Sequence, residues 1–190
     1  MATQPVFTLT EQDYLTLESS AEYKSEFVDG EMYAMSGAKP RHCRLETILA
    51  GVIYRQLLGN DCRSFSSNLK IRAEKSRSYL YPDLSVVCGP LERVEGTNDV
   101  IANPSVLFEV LSPSTADYDH GKKFAIYREI PTLKDYLLVH SEEVFVEHFT
   151  LQPDGSWILR DHKGIEAAVE IPNIQCTLNL KELYDGVFDD

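Results

Sequence analysis

This 190-residue chain lacks any run approaching the ~20 consecutive apolar residues that a membrane-spanning helix needs, so no helical span is expected. Its first residues, Met1 to Thr10, lack a basic segment leading into an apolar stretch. No secretory signal is expected there, and the cytoplasm is the expected location. Cysteine is scarce. Cys43, Cys62, Cys88 and Cys176 show no spacing of a zinc knuckle or redox pair. They are expected as free, buried small hydrophobes in a reducing compartment. Positive charge is in deficit too: 18 Lys and Arg face 30 Asp and Glu, for a net charge of −12. A protein that coats nucleic acid by bulk charge is thereby excluded, because phosphate contacts need cations. Repeats, low-complexity tracts and linkers are missing. The length suits one domain, residues 1–190, with a proper core.

The basic residues that are present gather between Lys39 and Arg77, where the only acids are Glu46, Asp61 and Glu74. That pattern reads either as a local cationic face on an acidic enzyme or as an ordinary solvated surface.

Patterning gives a mixed α/β (α+β) architecture. Leu9 to Leu17 reads as a short helix with Thr10 as N-cap. Glu22 to Val28 and Met32 to Met35 read as strands joined at Asp29-Gly30, a dipeptide that tolerates positive φ. Arg41 to Leu58 carries the longest apolar stripe, built from Leu45, Ile48, Leu49, Val52 and Ile53. Cys62 to Ser66 and Leu69 to Ala73 are expected strands. Leu84 to Cys88 and Val106 to Leu111 are short apolar runs, as in strands buried on both faces. Tyr118 to Glu129 is expected as one helix. Asp135 to Val139, Val144 to Phe149 and a segment from Trp157 are further strands, and Asn179 to Tyr184 is a last short helix. Together these give a mixed sheet flanked by helices.

Two carboxylates stand out in this pattern. Asp83 leads into Leu84-Ser85-Val86-Val87, and Glu109 sits inside Val106 to Leu111. An ionised carboxylate in an apolar sheet costs several kcal/mol unless compensated. Two on neighbouring central strands also repel each other. A shared divalent cation resolves both problems, and Mg²⁺ takes such oxygen ligands together with water and phosphate. The Val110 carbonyl, lying in the sheet plane, is a further candidate ligand. Lys123 follows on the next helix, on one face with Tyr127 and Ile130. An amine there can stabilise charge on a phosphate. Lys122 reads as a surface lysine. His42 opens the long helix, as a phosphate contact, a proton shuttle or a capping residue. Glu26 and Glu31 flank the hairpin turn, each either a site acid or an exposed carboxylate.

Several segments together resemble a known family: Glu26-Phe27-Val28-Asp29-Gly30-Glu31, Arg41-His42, Tyr81-Pro82-Asp83, Glu109-Val110-Leu111-Ser112-Pro113-Ser114-Thr115, Lys123 with Tyr127, and Tyr136-Leu137-Leu138-Val139. From Leu9 to Tyr184 the chain resembles the Uma-two family of restriction-endonuclease-like proteins, a branch of the PD-(D/E)-x-K nuclease superfamily. The resemblance implies a restriction-endonuclease-like fold and hydrolysis of phosphodiester bonds in nucleic acid, with DNA as the expected substrate. It implies a metal held by Asp83 and Glu109, expected to be Mg²⁺ with Mn²⁺ as the alternative, and the Val110 carbonyl read above would complete the set. It also implies catalytic roles for Lys123, His42 and Glu26. The superfamily lysine stands two residues after the second acid, a position that is Leu111 here, and Lys123 is its implied replacement. At position 140 the family usually carries aspartate where this chain has His140. A homodimer is expected only by analogy with nucleases that cut both strands. Two rivals remain open: a catalytically inactive nuclease-fold protein that binds nucleic acid or regulates, and a partner-binding module whose Asp83 and Glu109 are salt-bridged to arginines.

Overall fold

The computed structural model describes residues 8–35 and 37–189. The reading of the extreme N-terminus therefore lies largely outside the described residues. The first helix, α1, spans Glu11–Ser19, and Thr10 caps it as expected: its side chain accepts from the Asp13 N–H while the Asp13 carboxylate accepts from Thr10. The strands β1 (Ser25–Val28) and β2 (Glu31–Ala34) form a hairpin. Its turn needs positive φ at Asp29 and at Gly30. At Gly30 a side chain would also meet Thr8, with a built Cβ 2.9 Å from the Thr8 Cβ. The long helix α2 runs Pro40–Leu57 and buries Leu45, Leu49, Val52, Ile53 and Leu57 on one stripe.

The remaining strands are β3 (Cys62–Ser66), β4 (Lys70–Ala73), β5 (Ser78–Leu80), β6 (Leu84–Cys88), β7 (Val100–Ile101), β8 (Val106–Leu111), β9 (Asp135–His140), β10 (Phe145–Leu151), β11 (Trp157–Lys163), β12 (Ala168–Ile171) and β13 (Cys176–Asn179), and a last helix, α5, spans Leu180–Leu183. They do not form one sheet, as the apolar pattern suggested. A six-stranded sheet has the order β11-β10-β9-β8-β6-β3, a five-stranded sheet the order β2-β1-β5-β4-β7, and β12 pairs with β13 alone. Five-stranded and two-stranded sheets went unseen because β5, β7, β12 and β13 are too short for a period-2 pattern to register.

The six-stranded sheet is covered on both faces. Val106, Phe108 and Val110 of β8 face α2, α5 and the β12–β13 hairpin in one apolar cluster. Leu107 and Leu111 face the other way, into a cluster with Phe124, Tyr127, Ile130, Tyr136 and residues of the five-stranded sheet. Strand alternation puts Glu109 on this second face. A third cluster, Tyr14, Phe27, Tyr79 and Val100, seats α1 on the five-stranded sheet.

Two expectations are corrected. Cys62 and Cys88 lie directly opposite each other on β3 and β6 and are joined in a disulfide, so they are not free thiols. Cys43 is exposed, and only Cys176 is the buried free thiol expected. The helix read from Tyr118 to Glu129 is broken into α3 (Ala116–Tyr118), a π-helical turn (Asp119–Lys123) and α4 (Phe124–Tyr127). Gly121 lowers helix propensity in this turn. Asp119 and Lys123 within it are buried, and they form an ion pair with each other. Such π turns are concentrated at functional sites.

Phe108 is fully buried where β8 meets α2 and the C-terminal hairpin. Phe108→Ala is expected to destabilise the fold by about 3–5 kcal/mol, read as a lower denaturation midpoint at unchanged denaturant slope.

Candidate active site

Asp83, Glu109, Lys123 and Glu26 converge at the seam between the two large sheets. The β6–β8 register pairs Leu84 with Phe108. One step further along both strands, Asp83 stands at the position opposite Glu109. The strands have parted there, and the Asp83 Oδ2 takes the Val110 N–H at 2.6 Å. Because the N–H and C=O of one strand residue point to the same edge, the Val110 carbonyl lies on the Asp83 side of β8.

The Ser112-Pro113-Ser114-Thr115 loop reverses the chain at the end of β8. Ala116 and Thr115 both donate to the Ser112 carbonyl, at 3.0 and 3.1 Å, which starts α3 within one turn of the strand. The following π turn then carries Lys123 back over Glu109. Its Nζ lies 2.9 Å from Glu109 Oε1, 3.1 Å from Glu26 Oε1 and 3.7 Å from Asp119 Oδ1. It also donates to the Tyr81 carbonyl at 3.4 Å. All four charged groups are buried: Lys123 is 5% exposed, Glu109 3%, Glu26 6% and Asp119 4%.

Tyrosines and backbone complete the shell. Tyr127 Oη donates to Glu109 Oε1 at 3.0 Å. Tyr118 Oη donates to Glu26 Oε2 at 3.1 Å, and the Tyr81 N–H donates to Glu26 Oε1 at 3.1 Å. Burial pushes the Glu109 carboxyl well above its ordinary 4.5, with Lys123 opposing and Asp83 and Asp119 adding to the rise. Burial works against the Lys123 charge, but Glu109 and Glu26 override it and hold the ammonium well above 10.5. Both shifts have one sense: the cluster retains protons, and Lys123 carries the first of them.

His42 stands at the outer side of this group. Its Nε2 lies 3.4 Å from Asp83 Oδ1 and 3.8 Å from Glu46 Oε2. Burial lowers its pKa, but the hydrogen bond and charge of Asp83, then Glu46, raise it above 6.5 overall. Ligand atoms of His42, Glu46 and Asp83 lie within 4.8 Å of one another, close enough to share an ion. A hollow of about 280 Å³ beside His42 is lined by Lys39, Pro40, Arg41, His42, Ser112, Ser141 and Glu142.

Every residue expected at the site is therefore in one connected set: Asp83, Glu109, Val110, Lys123, His42 and Glu26. Of the two hairpin acids, Glu26 is inside and Glu31 is exposed, bonded to the Tyr33 hydroxyl. Lys122 is on the surface, paired with Asp29. Leu111 is packed in the apolar cluster beside Glu109, and the cation against Glu109 is Lys123 rather than an arginine. Glu46 and Asp119 went unnoticed in the sequence, though each had a signal. Glu46 is four residues after His42 and Asp119 four before Lys123, the spacing that stacks side chains on one helix face.

The basic segment is less of a face than its composition suggested. Arg44 donates to the Asp185 carbonyl, Arg55 pairs with Glu182, Lys70 with Asp99 and Arg72 with Glu11. Arg63, Lys75 and Arg77 are exposed.

Residues 11–180 match the Uma2 family, described as "Putative restriction endonuclease". The chain belongs to this family. A Synechocystis protein, slr1290, is 34% identical over 96% of this chain and 95% of its own length. A second from the same organism, sll1609, is 35% identical over 85% of this chain and 92% of its own length. A crystal structure described as a putative nuclease belonging to DUF820, from Anabaena variabilis, superposes with a TM-score of 0.79. It covers 95% of this chain and 99% of that one at 18% identity, and so speaks for the fold alone. The restriction-endonuclease-like mixed fold expected from the sequence is thus the one observed.

Lys123→Met removes the one ammonium from among Glu109, Glu26 and Asp119, leaving buried charge uncompensated. We expect a loss of about 3–5 kcal/mol at neutral pH. The raised Glu109 pKa makes protonation favour the folded state. Its contribution is fully present below pH 4.5, its ordinary value, and disappears as pH rises through the elevated one. Metal-free Lys123→Met should therefore come closest to wild-type stability in acid and fall away as pH increases, as read by chemical denaturation across pH. A stability deficit independent of pH would contradict this assignment of the charges.

Proposed function

We propose that this Uma2 protein is a metal-dependent endonuclease that hydrolyses phosphodiester bonds, with DNA as its substrate. One observation carries the reading: the Lys123 ammonium sits between Glu109 and Glu26, next to the strand break where Asp83 holds the Val110 N–H. Two acids at neighbouring positions of adjacent strands, a strand-edge carbonyl and a lysine paired with one of those acids support a donor set suited to a hard divalent cation and a phosphate.

The donor chemistry fits Mg²⁺ or Mn²⁺. Asp83, Glu109 and the Val110 carbonyl would hold the ion, with His42 and Glu46 at the other Asp83 oxygen. Bound there, it would polarise a phosphate oxygen and lower the pKa of a water. The chain's own residues do the rest. Lys123 offers an N–H to the phosphate oxygen that gains charge. Glu26, fixed by the Tyr81 N–H and Tyr118 hydroxyl, keeps Lys123 charged and aimed. Tyr127 orients Glu109. His42, protonated against Asp83, can donate a proton at the mouth of the site toward the leaving oxygen. Lys39 and Arg41 line the hollow beside it, where a phosphate backbone approaches.

The reading takes residues 1–190 as one domain of a cytoplasmic protein. A homodimer would present two such sites to opposite strands. No described helix is long and apolar enough to cross a membrane.

The test is cleavage of supercoiled plasmid, single-stranded DNA and RNA in Mg²⁺ or Mn²⁺. Wild type should cut DNA and stop when the metal is chelated. Asp83→Ala should be inactive, and Lys123→Ala should lose about 10²–10³-fold in rate. Undiminished cutting by Asp83→Ala, or no cutting by wild type with either metal, would overturn the reading. Binding of DNA without cleavage would favour an inactive scaffold.

A further inference from the structure

A second group of metal-ligating side chains lies on the same sheet face, outside the site described above. His140 ends β9, Glu147 lies in β10, and His120 belongs to the π turn. The Nε2 atoms of His120 and His140 both point at one oxygen, Glu147 Oε2, at 2.5 and 2.9 Å. The three ligand atoms lie within 4.8 Å of one another. Glu147 is 9% exposed, and the imidazoles are half-buried.

Hydrogen bonds around the cluster fix which ring nitrogens face Glu147. His120 Nδ1 lies 2.8 Å from the Ala116 carbonyl, which can only accept, so Nδ1 carries a proton. In the neutral imidazole Nε2 is then a lone pair, aimed at a carboxylate oxygen. His140 is held differently: its Nε2 lies on Glu147, and its Nδ1 is 3.8 Å from Glu143 Oε1, beyond hydrogen-bond reach. Two imidazoles thus converge on one carboxylate oxygen, and a backbone carbonyl orients one of them. A cation on Glu147 would meet both Nε2 atoms at the point where they already converge. A backbone carbonyl or carboxylate behind the distal nitrogen is the usual way a ligating histidine is held.

Distance separates this cluster from the proposed catalytic site. Glu109, Leu138 and Glu147 stand in one cross-strand row. Two strand spacings place the acids' backbones about 10 Å apart, and His120, His140 and Glu147 share no member with the His42, Glu46 and Asp83 group. An ion here would be held by none of the residues proposed to hold the catalytic one. Its place suits another task. The π turn sends Lys123 to Glu109 and His120 to Glu147, so a bond to His120 fixes the segment that aims Lys123.

We propose that His120, His140 and Glu147 bind a transition-metal cation of the zinc class, which fastens the π turn carrying Lys123 to β9 and β10. Two histidines and one carboxylate are a recurrent zinc set with a fourth position open to water. Tetrahedral geometry with bonds near 2.0–2.1 Å needs ligand atoms about 3.3 Å apart. The two short contacts then open by less than about 1 Å. The inference is independent of nuclease activity.

Zinc titration by calorimetry tests it, because Asp83→Ala disables the His42, Glu46 and Asp83 group while leaving this one whole. Zn²⁺ should bind Asp83→Ala with wild-type affinity at this site. Glu147→Gln and His140→Asn should weaken that binding about 100-fold or more. A readout that needs no variant is the ring ¹⁵N spectrum of the folded wild type, where Zn²⁺ should shift the Nε2 signals of His120 and His140. Amides of residues 119–123 should exchange more slowly with zinc bound. Zinc that shifts only His42, binding unaltered by Glu147→Gln, or unchanged exchange in the turn would overturn the proposal.

Discussion

The site is organised by one buried ammonium. Lys123 has lost its water and is surrounded by Glu109, Glu26 and Asp119, so its buried charge persists because theirs offset it. That requirement explains features otherwise hard to connect. The loop after β8 must turn at once, the helix behind it must be broken by a π turn, and the β1–β2 hairpin must dock so that Glu26 reaches across from the other sheet. Tyr118 and Tyr127 then fill the acceptor capacity that Lys123 leaves unused.

The same constraint explains how a chain with Leu111 two residues after Glu109 still brings a lysine to that acid. On β8, positions 109 and 111 share one face. That face is covered by Phe124, Tyr127 and Tyr136, so an apolar side chain at 111 adds to the core. The amine arrives instead from above, on a segment whose own packing holds it. The position in sequence has moved by a dozen residues while the place in space is beside the same acid.

Much of this was legible beforehand because the signals are strong and local. Alternation along Val106 to Leu111 puts Glu109 opposite Phe108 and Val110 in facing. The stripe on α2 gave its buried side, and Asp29-Gly30 gave the hairpin that delivers Glu26. What escaped notice is long-range or short-lived in sequence. The partition into three sheets depends on strands of two to four residues with no period of their own. The Cys62–Cys88 bond follows from a β3–β6 register that spacing alone does not reveal. The π turn replaces an ordinary helix because Asp119, His120 and Lys123 each answer to a distant partner. Glu46 and Asp119 were hidden only by being judged singly, and His140 gains meaning once β9 and β10 set it beside Glu147.

The central claim is that Asp83 and Glu109 share one divalent cation with Lys123 at its margin. Its most direct test is anomalous diffraction from crystals of the wild-type protein soaked in Mn²⁺. The account predicts a peak about 2 Å from oxygens of both Asp83 and Glu109, with the Lys123 amine drawn off Glu109 but still facing the ion's open side. A peak bound to Asp83 with His42 and Glu46 alone, and Lys123 still clamped on Glu109, would contradict it.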